Sequence, residues 1–150
     1  MKKQTWSWAS ERLPAAARVV RWGHYGAPVL LFPSAGGDCE EVERFGLVGA
    51  LAPLIDAGRI KVYGIDAIAT RTALEGRHSD EYCARVRQLQ DAFIREELAP
   101  LVRTDCASPG IELVAAGASF GACSALGCLL SDPQLFRHAI ALSACCEPPQ

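Results

Sequence analysis

The chain has 150 residues, a formal net charge of −2 at pH 7, and half of its residues hydrophobic. That is the size of a single domain, 1–150, able to bury about 70% of its unfolded surface. Its balanced charge excludes a disordered chain and offers no basic stripe for nucleic acid. No run of apolar residues is long enough to span a membrane, and Met1-Lys2-Lys3 leads into Gln4-Thr5-Trp6-Ser7-Trp8 rather than an apolar signal core, so the chain reads as cytoplasmic.

Thr5-Trp6-Ser7-Trp8 alternates polar and aromatic residues and predicts a half-buried edge strand. Arg18-Val19-Val20-Arg21-Trp22 is a second strand, and Gly23-His24-Tyr25-Gly26 a turn. Pro28-Val29-Leu30-Leu31-Phe32 is continuously apolar, the pattern of a strand covered on both faces. It runs into the loop Pro33-Ser34-Ala35-Gly36-Gly37. Glu40 to Ala57 has apolar residues at helical spacing, with Pro53 expected to kink or split it. Ile60 to Asp66 predicts another strand, followed by a loop carrying Arg77-His78-Ser79. Asp80 to Val102 is the longest helical pattern, Ile111 to Ala116 a strand, Phe120 to Leu130 a helix stopped by Asp132-Pro133, and His138 to Ser143 one more buried strand. Strands alternating with helices imply an α/β sheet, mostly parallel, of about six strands with helices on both faces.

Seven cysteines are present, Cys39, Cys83, Cys106, Cys123, Cys128, Cys145 and Cys146. Their irregular spacing, with no Cys-x-x-Cys, gives a zinc site little support, and most read as small reduced hydrophobes rather than redox or metal-binding groups. No cofactor or metal is implied.

The chemistry-bearing pattern is Gly117-Ala118-Ser119-Phe120-Gly121. Strand, Gly-x-Ser-x-Gly, helix is the context of a nucleophile elbow. The serine takes a strained backbone angle that lifts its hydroxyl clear of the sheet, and the glycines remove clashes in the tight turn. The Phe120 amide then lies at a helix N-terminus, where it can donate to an oxyanion. A second donor belongs in the loop after the third strand, and Ala35 is the expected amide. The plainer alternative is a glycine-rich turn that only packs a helix on a strand.

The run Pro28 to Gly37, the strand Arg59 to Asp66, the elbow at Ser119, the helix end Glu97-Leu98-Ala99-Pro100-Leu101 and the strand Ala141-Leu142-Ser143 together resemble the esterase branch of the α/β-hydrolase superfamily. That group includes esterase D, mycolyltransferases and polyhydroxybutyrate-depolymerase-like proteins. The resemblance implies a serine hydrolase acting on small-molecule carboxylic esters through an acyl-serine, with Ser119 as nucleophile and the Phe120 and Ala35 amides as oxyanion hole. It also implies about eight strands, with an acid after the seventh and a histidine after the eighth. This chain stops at what reads as the sixth, so the expectation is a fold lacking its last strands and an incomplete catalytic set.

Three histidines are available. Ser119, Asp132 and His138 stand in triad order, but a twelve-residue helix would carry Asp132 about 18 Å from the serine, and His138 would open its strand on the opposite edge. His24 lies on that edge as well. His78 alone falls on the correct edge, where a solvated loop role competes with that of a base, and Glu147 is the acid nearest the expected position. Without a base, serine is a weak nucleophile. The rival reading is a non-catalytic binding or interaction module on a hydrolase scaffold. An exposed last strand would favour pairing between two copies.

Overall fold

The computed structural model describes residues 1–144. Six strands form one sheet: β1 (Lys3–Trp8), β2 (Ala17–Trp22), β3 (Ala27–Phe32), β4 (Ile60–Ile65), β5 (Leu113–Ala118) and β6 (Phe136–Leu142), in the order β1-β2-β4-β3-β5-β6. The pairs β3–β4, β3–β5 and β5–β6 are parallel, and β1–β2 and β2–β4 antiparallel. As expected, β4 and β5 flank β3, whose residues Pro28–Phe32 are buried.

Side chains alternate between two cores. Val19, Leu30, Tyr63 and Leu113 meet one helical layer, made of α3 (Ile68–Leu74), α4 (Asp80–Phe93), α5 (Ala99–Asp105) and α6 (Phe120–Ser131). Val20, Leu31 and Val62 meet the other, made of α1 (Glu41–Arg44) and α2 (Leu47–Asp56). This arrangement is an α/β-hydrolase-like sheet.

Four local expectations are corrected. The helix over 40–57 breaks at Phe45-Gly46, where Gly46 takes φ +80°, while Pro53 sits within α2. The long stretch from Asp80 is interrupted by a π-helical turn, Ile94–Leu98, between α4 and α5. A short helix, α3, stands where a loop was expected; the buried Gln90 holds its second amide, Ala69 N–H, at 2.7 Å. Finally, β6 is not buried. It forms the sheet edge, and Ile140 and Leu142 are 51% and 58% exposed. The register jumps there from Leu113↔Phe136 to Val114↔His138. Arg137 is the extra residue of this bulge, so Phe136 turns into the α6-covered core and His138 turns outward.

Charge is also built into the interior. The Lys61 ammonium, buried on β4, meets the Asp105 carboxylate at 2.7 Å; Arg21 reaches the same carboxylate at 2.8 Å, and the Tyr63 hydroxyl donates to it at 2.7 Å. This cluster straps the end of α5 to β2 and β4. Cys39, Cys83, Cys106 and Cys128 are free thiols, and burial pushes those of Cys39 and Cys128 up to about 12, which makes them inert. Cys145 and Cys146 lie outside the described residues. Among the described residues no cluster of His, Cys, Asp or Glu could hold a metal ion, and no helix is long and apolar enough to cross a membrane.

Candidate active site

Ser119 stands between β5 and α6 with φ +54° and ψ −121°, a conformation that side-chain-bearing residues rarely adopt. Its glycines are sterically required. A Cβ on Gly117 would lie 2.3 Å from the Gly121 carbonyl oxygen, and one on Gly121 would lie 2.6 Å from the Phe32 oxygen and 2.7 Å from that of Pro33. The second contact also shows that the first turn of α6 rests on the end of β3, where the Pro33–Gly37 loop begins. The Ser119 amide donates to Leu142 O at 3.0 Å, tying the elbow to the end of β6. Its hydroxyl caps no helix amide and has no hydrogen-bond partner among the described residues.

The amide of Phe120, first in α6, has no intrahelical acceptor. The second loop is a tight turn in which Gly37 N–H donates to Ser34 O at 2.8 Å, with Ala35 and Gly36 at φ +28° and +79°. Turning the Ser34 carbonyl into this bond points the Ala35 N–H, on the other side of the same planar peptide, away from it. That amide has no acceptor among the described residues. The structure therefore brings Ser119, Phe120 and the Ala35 loop to one edge of the sheet.

Residues that the sequence reading did not single out hold this loop. Glu41 accepts from the Ser34 amide at 2.7 Å and from its hydroxyl at 2.8 Å, occupying the space that a Cβ on Gly37 would need. Arg71 on α3 donates to Gly36 O at 3.2 Å and Gly37 O at 3.3 Å. Asp66, buried at the end of β4, accepts from Cys39 N at 2.9 Å and from the Arg18 backbone at 3.1 Å and side chain at 3.3 Å. The pair Gly36-Gly37 followed by acidic residues was the available signal.

The other candidates lie elsewhere. Asp132 closes the far end of α6, its carboxylate accepting from Leu135 N at 2.9 Å. His138 is exposed, four residues back along β6 from the Leu142 carbonyl that holds Ser119. His24 lies in the β2–β3 turn near Gly58, on the opposite edge. His78, between α3 and α4, bonds Glu75 through Nε2 at 3.0 Å and stacks on Tyr82 at 4.8 Å. Glu147 lies outside the described residues. Beside the elbow, the half-exposed Phe120 ring borders a cleft of about 620 Å³ between α3, α4 and α6.

A family model described as "Putative esterase" matches residues 63–150, which include the elbow. The chain belongs to this esterase family. Solved structures agree. The enterobactin esterase FES from Shigella flexneri, in the presence of 2,3-di-hydroxy-N-benzoyl-glycine, is 28% identical with a TM-score of 0.61, the match covering 91% of this chain and 35% of that one. A ferulic acid esterase aligns over 99% of this chain and 60% of its own, with a TM-score of 0.73 and 15% identity. The S-formylglutathione hydrolase FrmB from Staphylococcus aureus aligns over 97% of this chain and 59% of its own, at 14% identity and a TM-score of 0.61. The last two support the fold alone. The esterase-family chain thus spans about a third of the length of the enterobactin esterase it matches. The search of curated proteins found no match.

Proposed function

We propose that this chain carries the nucleophile and oxyanion hole of a serine carboxylesterase. The Ser119 Oγ adds to the ester carbonyl carbon while its proton passes to a base. The carbonyl π pair moves onto oxygen, where the amides of Phe120 and Ala35 stabilise the oxyanion. Collapse breaks the bond to the alcohol oxygen, which leaves with a proton and yields an acyl-serine that water then hydrolyses. One observation carries this reading: a serine at φ +54° in a turn whose glycines the backbone requires, with a hydroxyl that has no hydrogen-bond partner among the described residues. A side chain kept where the turn itself favours glycine supports a functional role for that hydroxyl.

His78 is engaged by Glu75 and Tyr82, and we give it no part in the step. Attack then depends on the oxyanion hole and on proton transfer to water, so turnover is slow; triad losses cost on the order of 10⁴ to 10⁶. A hydroxyl unpartnered among the described residues also favours a second reading, a binding module built on a hydrolase scaffold. Hydrolysis of p-nitrophenyl acetate separates the two. The esterase reading expects an acetyl adduct on Ser119 by mass spectrometry, and loss of adduct and turnover in Ser119→Ala. Turnover unchanged by that substitution supports the binding module instead.

A further inference from the structure

The turn that carries the Ala35 amide is strained and is held from outside. Gly37 N–H, donating to Ser34 O at 2.8 Å, closes it with left-handed angles at both middle positions, φ +28° at Ala35 and +79° at Gly36. Glycine enters that region freely, and a residue with a side chain rarely does. Such a conformation persists only where neighbouring groups over-determine it.

The carboxylate of Glu41 supplies that grip. One oxygen, Oε1, accepts from the Ser34 amide at 2.7 Å and from the Ser34 hydroxyl at 2.8 Å. The other, Oε2, fills the space beside Gly37, where a Cβ would collide with it. The φ of Gly37 is not positive, so its missing side chain makes room for Glu41 rather than serving a backbone angle. From α3, Arg71 donates to Gly36 O at 3.2 Å and to Gly37 O at 3.3 Å. The amides of Ser34 and Gly37 are thus both committed, which fixes the direction of the Ala35 amide between them. The first turn of α6 rests on the Phe32 and Pro33 oxygens, directly before Ser34, so this grip and the elbow share one edge of the sheet.

We infer that Glu41 is a positioning residue for the oxyanion hole: by gripping Ser34 it holds the strained turn that presents the Ala35 amide. This role rests on the acyl-serine reading. Glu41 acts through Ser34 and not on the reacting atoms. The Ala35 amide would bind the oxyanion and not the ground-state ester, so loosening the turn lowers kcat and leaves KM in place.

Turnover of p-nitrophenyl acetate by the whole chain, less that of Ser119→Ala, tests this. In Glu41→Ala, kcat is expected to fall at least roughly tenfold with KM within about twofold, less than the roughly 10²–10³-fold cost of removing an oxyanion donor outright. Glu41→Gln keeps an oxygen that can accept both bonds and recovers most of the lost turnover. Ser34→Ala loses only the hydroxyl bond and falls between the two. Hydrogen exchange at the Gly37 amide, read by NMR in the Ser119→Ala background, follows the turn without a reactive serine. Its protection drops with Glu41→Ala and is kept with Glu41→Gln. Wild-type kcat in Glu41→Ala overturns the inference, as does an equal loss in Glu41→Gln, or lost turnover with Gly37 protection intact. Should Glu41→Ala fail to fold by circular dichroism, Ser34→Ala decides, and unchanged kcat there overturns it. Turnover that does not depend on Ser119 removes the esterase reading and this role with it. Ser119-dependent turnover indifferent to Glu41→Ala removes the role alone.

Discussion

At the scale of single residues, conformation and charge work against each other. Ser119 holds a backbone angle that costs on the order of 1–3 kcal/mol, while the Asp105 cluster is a place where charge is satisfied within the core. Burial would raise the Asp105 carboxyl, but the hydrogen bonds from Lys61 and Tyr63 and the charges of Lys61 and Arg21 hold it below its ordinary 3.8. The unfolded chain therefore takes up the proton first as pH falls. The stabilisation is complete above the ordinary carboxylate value and is lost as pH drops through 3.8 and below. Asp105→Ala leaves the buried Lys61 ammonium with the residue 105 carbonyl but without its counter-charge, and costs about 3–5 kcal/mol at neutral pH. Urea unfolding at pH 7 and pH 3 checks this: the gap between wild type and variant narrows in acid, and a gap independent of pH contradicts it.

Elements position the chemistry through backbone contacts rather than side chains. The elbow depends on α6 approaching β3 so closely that Gly121 has no room for a methyl group. Gly121→Ala must push α6 off the Phe32 and Pro33 carbonyls, separating the two proposed oxyanion donors. Its expected outcome is a folded chain, by circular dichroism, with lowered thermal stability and p-nitrophenyl acetate turnover at least tenfold below wild type. Wild-type turnover in the variant contradicts the close approach. How far the elements were legible follows from the same physics. The strand β3 is a continuous apolar run because both its faces are covered, and the elbow announces itself through glycines that the backbone demands. By contrast, α3 is short, with Thr70, Arg71 and Thr72 in its middle, and its start depends on Gln90, far along the chain. The strand β6 misleads because its bulge reverses the alternation after Phe136.

At the scale of the whole molecule, the sheet places Ser119, Phe120 and the Ala35 loop on one edge, and among the described residues none of the three histidines hydrogen-bonds the Ser119 hydroxyl. That loop was identifiable from Gly36-Gly37, but the clamp of Glu41, Arg71 and Asp66 around it was not, because its members are brought together by three different elements. The cleft was equally illegible: it is a space between three helices, and its signature is small residues, which also read as close packing. Along β6, Ile140 and Leu142 remain half-exposed on the face away from α6. The proposed chemistry turns on one group, the Ser119 hydroxyl. Incubation with a fluorophosphonate probe, followed by peptide mapping, tests it most directly. Slow labelling at Ser119 is the predicted result, lost in Ser119→Ala and on denaturation; absence of labelling at any pH in the folded chain would contradict a competent nucleophile.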